Sequence, residues 1–309
     1  MTKKVLVTGG GGFVGNVLVR RLLQYGYDVR VLDNFIKGCH GLMELAANPH
    51  FEFLYGDVTD FKTCKKAVKD VDGVIHLAAI VGFPDCAKQP GLAEAVNIKG
   101  TQNMLVASCD KPFVFASTGS VYGKVEGICT EESPLNAQSW YGITKYEAEK
   151  AVTARDNTVA FRFATGFGLS PNMRVNLLVN DFVYKAIYDK ALIIFQADFR
   201  RTFIHVQDMA KTFHLGLTGL LGGNLKHKVY NAGGDHLNWT KRELVEYVAS
   251  KTGCLVHYAE IGEDPDQRDY AVDYSKWYAE GFVPDYTMEV GIDQVIKAAP
   301  LIHITHQYE

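Results

Sequence analysis

Val5-Leu6-Val7-Thr8-Gly9-Gly10-Gly11-Gly12-Phe13-Val14-Gly15 is the stretch on which the fold turns. A short apolar run ends on glycines spaced Gly9-x-x-Gly12-x-x-Gly15. Beyond them Phe13, Val14, Val17, Leu18 and Leu22 recur at helical intervals. A strand, a tight glycine turn and a helix in that order let a backbone approach a pyrophosphate and seat it on the helix N-terminus. The glycine pattern is weak alone, and the flanking strand and helix supply the context it needs. Asp33 ends the second apolar run, Asp28–Asp33, about 20 residues on, where a carboxylate bonds the adenosine ribose hydroxyls. A plain strand-end residue is the bland reading of Asp33, and the register favours the ribose role. Asn34 and Phe35 follow it rather than an arginine, so NAD is expected in preference to NADP.

Strand and helix signals continue to alternate. Phe51–Tyr55, Gly73–Leu77, Pro112–Ala116 and Val159–Phe163 read as strands, and Lys62–Lys69, Leu92–Cys109 and Trp140–Ala154 as helices between them. Alternation of this kind predicts an α/β fold, a doubly wound parallel sheet of Rossmann type. Past Gly168 the rhythm changes. Helices are expected over Leu177–Tyr188, from Gln207, from Thr240 and over Glu289–Ala298, with strands at Leu192–Phe195, Thr202–Val206 and Val229–Asn231. Thr240-Lys241-Arg242-Glu243 has the capping-box pattern. The expected division is an NAD-binding domain at 1–168 and a smaller C-terminal substrate-binding lobe at 169–309, partly interleaved with it.

Composition narrows the function. With 309 residues, 47% hydrophobic and 22% charged, the chain has ample material for a core. A net charge of −3 gives no reason to expect nucleic acid or a membrane surface as partner. No apolar run approaches the roughly 20 residues of a membrane span, and the first strand starts too early for a signal peptide. Six scattered cysteines without zinc spacing predict free thiols, no metal and a cytoplasmic location.

The chemistry is carried by Tyr141 and Lys145, four residues apart in Trp140-Tyr141-Gly142-Ile143-Thr144-Lys145. On a helix that spacing puts both side chains on one face. An ammonium beside a phenol stabilises the phenolate, which can then take a proton from an alcohol near neutral pH. With a dinucleotide loop at the other end of the domain, the implied reaction is hydride transfer at a carbinol carbon.

In these residues the chain resembles the extended short-chain dehydrogenase/reductase family, especially its nucleotide-sugar epimerases and dehydratases. The resemblance spans about residues 4 to 298 and rests on several stretches in the family's order. Thr8-Gly9-x-x-Gly12-Phe13-Val14-Gly15 is similar to its cofactor loop, Gly56-Asp57-Val58 to its adenine contact, and His76-Leu77-Ala78-Ala79 to the strand end beneath the cofactor. Ser117-Thr118-Gly119-Ser120-Val121-Tyr122-Gly123 resembles its serine/threonine segment, and Arg201-Thr202-Phe203-Ile204-His205-Val206-Gln207-Asp208 the segment bearing a substrate-phosphate arginine. Ser170–Arg174 and Gly262–Tyr270 are most similar to bacterial sugar 4-epimerases and GDP-heptose 4-dehydrogenases.

The resemblance implies a role for each matched residue. Thr118, Tyr141 and Lys145 form the catalytic set, Thr118 on the reacting sugar hydroxyl and Lys145 also on the nicotinamide ribose. Gly9, Gly12, Phe13, Val14, Gly15, Asp33, Asn34, Asp57, Val58, Leu77, Ala78, Ala79 and Asn97 join Tyr141 and Lys145 around NAD. Arg201, Arg268 and Arg174 grip the nucleotide diphosphate of a sugar substrate, for which a forked guanidinium is suited. Asn176 and Asn180 are substrate contacts. An arginine is ordinarily a solvated charge and an asparagine early in a helix a structural residue, so the motif context carries these assignments. His205 reads as a packed residue. A homodimer is the expected assembly. Gly119-Ser120 departs from the family's 4,6-dehydratases, which carry an Asp-Glu pair after the threonine, and this argues against dehydration. The expected reaction is C4 oxidation of a nucleotide sugar completed as 4-epimerisation. The alternatives are a 4-dehydrogenase that releases the keto sugar and, in a different class, a dinucleotide-binding regulator without turnover.

Overall fold

A computed structural model describes residues 2–123, 127–260, 262 and 271–302. Its main sheet has seven parallel strands, in the order Val229–Ala232, Thr158–Phe163, Phe113–Thr118, Gly73–His76, Lys4–Thr8, Asp28–Asp33 and Phe51–Tyr55. Strands buried on both faces need apolar side chains in both directions, and the alternation along each strand sorts them into two cores. Val5, Val7 and Val114 feed one core with Val17, Leu18 and Leu22 of helix Phe13–Gln24 and Phe213 and Leu217 of helix Val206–Gly222. Leu6, Phe113 and Phe115 feed the other with Met104, Ala148 and Val152.

The lobe has its own core, built from Phe182 and Val183 of helix Leu178–Tyr188, Leu244 and Val248 of helix Lys241–Thr252, and Ile292 and Val295 of helix Met288–Ala298. The capping box forms, with Thr240 Oγ1 accepting from Glu243 N–H and the Glu243 carboxylate accepting from Thr240 N–H. Small sheets complete the lobe. Arg200–His205 lies between Thr165–Phe167 and Asn238–Thr240, and Ala191–Phe195 pairs with Leu255–Ala259.

The strand Val229–Ala232 lies beyond residue 168 yet pairs with Thr158–Phe163 at the edge of the main sheet. One expectation is corrected. Leu92–Cys109 is not a single α-helix: Pro90–Glu94 and Thr101–Ser108 are α-helical, and Ala95–Gly100 between them is a π-turn. The wide turn carries Asn97, whose side chain bonds to two other segments, and such turns recur at functional sites. Cys109 leaves the helix with φ +47°.

Candidate active site

Strand Lys4–Thr8 has Asp28–Asp33 on one side and Gly73–His76 on the other, so successive crossovers leave it in opposite directions. In an open α/β sheet this switch point opens a crevice beyond the carboxyl ends of the strands. Asp33 and Thr118 are the last residues of such strands, and the glycine loop, Asp57 and Leu77–Ala79 follow their ends.

The glycines are required by close packing. A Cβ on Gly15 would lie 2.3 Å from the Gly9 carbonyl oxygen, and one on Gly9, at φ +70°, 2.7 Å from Ala78 N. Gly12 begins helix Phe13–Gln24 with no side-chain cap and no acidic residue in the first turn, which leaves its N–H groups for an anion. Asn16 holds the loop by donating to the Gly11 carbonyl at 2.7 Å. Asp33 accepts from Gly11 N–H at 2.8 Å and Phe35 N–H at 2.7 Å, and burial raises its pKa against those bonds. Asn34 donates to Asp57 at 2.7 Å; despite burial, this bond and those from Thr59 hold the Asp57 carboxyl below its usual range. An uncapped helix start, a glycine cradle and a carboxylate at the second strand's end fit a dinucleotide.

His76 supports the floor of the crevice. Thr101 donates its hydroxyl to the Asn97 carbonyl at 2.7 Å and so accepts from His76 Nε2 at 3.0 Å. His76 Nδ1 is left to accept from Thr8 Oγ1 at 2.6 Å, and Thr8 Oγ1 in turn accepts from Ala78 N–H at 3.2 Å. Burial pushes the ring down to about 3, so it stays neutral and braces Ala78. Asn97 accepts from Ile80 N–H at 2.8 Å and donates to the Ile80 carbonyl and to Thr144 Oγ1, each at 3.0 Å. Thr144 donates to the Tyr141 carbonyl at 3.0 Å, so Asn97 links the loop after Gly73–His76 to the helix of Tyr141.

Ser139 caps helix Trp140–Thr153 by accepting from Gly142 N–H at 3.1 Å, and Tyr141 and Lys145 follow on one face. Three contacts set this helix against the strand ending at Thr118. A Cβ on Gly142 would lie 2.8 Å from the Ser120 carbonyl oxygen, Lys145 Nζ is 4.0 Å from the centre of the Phe115 ring, and Ser117 Oγ donates to Glu149 at 2.5 Å. The helix bearing Tyr141 and Lys145 is thereby set beside the strand end at Thr118. The Thr118 hydroxyl accepts from Ser120 N–H and donates to Ser120 Oγ, both at 3.2 Å. Burial pushes Lys145 down to about 7, opposed by the negative charge of Glu149.

The expected substrate residues divide. Arg201 is buried on strand Arg200–His205, its guanidinium 6.0 Å from the centre of the Phe199 ring. Arg174 approaches the loop after Gly73–His76, where a Cβ on Gly82 would lie 3.8 Å from its Nη2, and its Nε donates to Asn176 at 3.3 Å. Asn180 is buried, with its amide bonded to backbone groups of Gly168 and Arg174. Arg268 lies outside the described residues. His205 is packed as expected, stacked 4.0 Å from Tyr286 with its pKa lowered to about 4 by burial. Among the described residues no cluster suits a metal ion, and no helix is long and apolar enough to cross a membrane.

Two arrangements near the site go beyond the sequence reading. Ser170 and Asn172, read only as part of the family-like stretch Ser170–Arg174, strap the lobe to the glycine loop: Ser170 Oγ donates to the Phe13 carbonyl at 2.6 Å and Asn172 to the Gly11 carbonyl at 2.7 Å. Glu149 and Arg162 form a buried ion pair at 2.6 Å. The spacing of four from Lys145 to Glu149 was the available signal for Glu149, and the Ser170–Arg174 resemblance that for the strap.

Comparison with known proteins matches this geometry. The NAD dependent epimerase/dehydratase family matches residues 5–233. A UDP-glucose 4-epimerase of Lactobacillus helveticus is 30% identical over 292 residues, covering 85% of this chain and 87% of that protein. The low-salt glycan biosynthesis protein Agl12 of Haloferax volcanii is 30% identical over 94% of this chain and 97% of its own. Among solved structures, the dTDP-glucose 4,6-dehydratase DesIV of Streptomyces venezuelae, with NAD bound, superposes with a TM-score of 0.83 at 26% identity, over 95% of this chain and 96% of that one. A cofactor loop, a switch-point crevice and a Tyr-x-x-x-Lys helix set against a threonine strand end are thus joined by similarity along most of the sequence, and the chain belongs to the NAD-dependent epimerase/dehydratase family.

Proposed function

We propose that the protein oxidises C4 of a nucleotide-diphosphate sugar and re-reduces it on the other face, a 4-epimerisation. The observation that carries this reading is the set of contacts holding the helix of Tyr141 and Lys145 against the strand end of Thr118, beside the glycine crevice. NAD bound on that crevice supplies the acceptor for the C4 hydride and its return. Gly9, Gly12, Phe13, Val14 and Gly15 cradle its pyrophosphate, Asp33 and Asn34 its adenosine ribose, Asp57 and Val58 its adenine, and Leu77, Ala78 and Ala79 the face beneath it. Asn97 orients the Tyr141 helix. Tyr141 as phenolate takes the C4 hydroxyl proton, directly or through Thr118, and later returns it. Lys145 as ammonium stabilises that phenolate. Residues 1–168 carry the cofactor, and 169–309, apart from the helix Val206–Gly222 and the strand Val229–Ala232 interleaved with the main sheet, form mainly the substrate side, where Arg201 and Arg174 meet the diphosphate, a role the resemblance also gives Arg268, and Asn176 and Asn180 line the approach.

Asp33 sets the cofactor. Its carboxylate repels a 2′-phosphate, so the cofactor released by denaturing the purified protein is expected to be NAD or NADH. Recovery mainly of NADP would overturn this assignment.

The reaction is tested by incubating the protein with UDP-, GDP-, CDP- and dTDP-sugars and analysing products by mass spectrometry and NMR. A 4-epimer of unchanged mass is expected. Accumulation of a keto sugar would replace the reading with a 4-dehydrogenase. A product about 18 Da lighter, the mass of water, would defeat both, because loss of water across C5 and C6 needs an acid and a base within reach of the sugar. Gly119 has no side chain, and Ser120 is a poor acid or base without an activating neighbour.

A further inference from the structure

Glu149 stands one turn beyond Lys145 on the same face, in the series Tyr141-x-x-x-Lys145-x-x-x-Glu149. Its carboxylate is buried and fixed from two strands. Arg162, on Thr158–Phe163, donates Nη2 to Oε1 at 2.6 Å and Nε to both oxygens at 3.1 and 3.2 Å. Ser117, on Phe113–Thr118, donates to Oε2 at 2.5 Å. Arg162 is held in turn, donating Nη1 to Tyr122 Oη at 3.1 Å and to the Glu131 carbonyl at 3.2 Å, and Tyr122 donates to Asn231 at 2.6 Å. A buried ion pair is weak evidence for stability, because the cost of stripping water from both charges offsets their attraction. Such an expensive arrangement directly under Lys145 calls for a use.

Lys145 supplies one. It is buried, so its charged form depends on a nearby anion, and Glu149 is the group that favours that form most. Of the other groups interacting with it, the Cys86 thiol is raised to about 11 and His76 lowered to about 3, so both are neutral at pH 7, while the Arg162 guanidinium stands on the far side of the Glu149 carboxylate. Around the ion pair stand Tyr122 and Glu131, the latter 3.9 Å from Lys276. Ser117 adds a second connection. It precedes Thr118 on the strand, so its side chain points to the opposite face, and its bond to Glu149 anchors the strand end from behind.

Resting on the reading of Tyr141 as acid/base, we infer that Glu149 is a positioning residue: its fixed carboxylate keeps Lys145 cationic beside Tyr141, while its bond to Ser117 keeps Thr118 in register with both. Direct action of Glu149 on Tyr141 is weak by comparison, since eight residues of helix separate them by about 12 Å.

The test is an ultraviolet phenolate titration of the NAD-loaded protein, with the signal of Tyr141→Phe subtracted to isolate Tyr141. Glu149→Gln keeps the shape and loses the charge, and it should raise the Tyr141 pKa by about one unit or more. Glu149→Asp keeps the charge and should leave the titration within about 0.3 unit of wild type. A folded, NAD-retaining Glu149→Gln that titrates like wild type overturns the inference. Should Glu149→Gln yield no folded protein, Glu149→Ala takes its place: a rise of about a unit that Glu149→Asp does not share upholds the charge role, and no rise in Glu149→Ala, or a rise shared by Glu149→Asp, overturns it. If wild type shows no Tyr141 titration below the ordinary phenol range, the reading of Tyr141 fails instead, which is a separate result.

Discussion

Tyr141→Phe is expected to lose at least about a hundredfold in turnover while keeping its fold and its cofactor, the usual scale for removing a general acid/base. The expectation is specific because the helix that carries Tyr141 is held by other contacts. Its helix is capped by Ser139, tied to Asn97 through Thr144, and pressed against Ser120 at Gly142. None of these contacts uses the phenol oxygen. Circular dichroism and bound NAD should therefore match wild type, and near-normal turnover in the variant would remove Tyr141 from the chemistry.

Lys145→Met should act in two directions. Turnover and cofactor affinity should both fall, since under the proposed function one ammonium tunes the phenol and meets the nicotinamide ribose. The cofactor-free protein should nevertheless become more stable at low pH. Burial lowers the Lys145 pKa from 10.5 to about 7, so below pH 7 the folded state carries a buried charge at full cost. As pH rises through the window from about 7 to 10.5, the unfolded chain loses its proton as well and that cost disappears. At about 1.4 kcal/mol per unit the cost is a few kcal/mol. The melting temperature of cofactor-free Lys145→Met should exceed that of wild type by several degrees at pH 6 and converge with it near pH 10. A difference independent of pH would show that Lys145 is not buried as a charge. A residue that destabilises the empty protein and serves the loaded one is the ordinary trade between function and stability.

Much of this was legible in the sequence because it is local. The glycine turn, the run to Asp33, the capping box at Thr240 and the Tyr141–Lys145 spacing each depend on neighbours within a turn or a strand. Less local features were not legible. The π-turn at Ala95–Gly100 inserts a wide turn into an otherwise helical stretch, and apolar periodicity does not register it. Val229–Asn231 reads as a short strand, but nothing in so short a run says which sheet it joins. The resemblance makes Asn180 a substrate contact, and the bonds of its amide to Gly168 and Arg174 depend on the folded loop. Ser117, Glu149 and Arg162 lie on three elements and meet only when the sheet and its helix pack.

The edge strand Val229–Ala232 also bears on how the chain comes off the ribosome. A nascent chain that has reached residue 168 already holds six of the seven strands of the main sheet. It lacks the strand that pairs with Thr158–Phe163 and the helix Val206–Gly222, whose Phe213 and Leu217 cover Val114 and Phe161. Until residue 232 emerges, one hydrophobic face of the sheet and a row of unpaired backbone groups on its edge stay open to water, the condition under which partly made sheets aggregate. Synthesis must therefore carry the cofactor-binding half unfinished across some sixty further residues, for about 3 to 12 seconds at ordinary elongation rates, and a truncation at the apparent boundary would leave it in that state permanently.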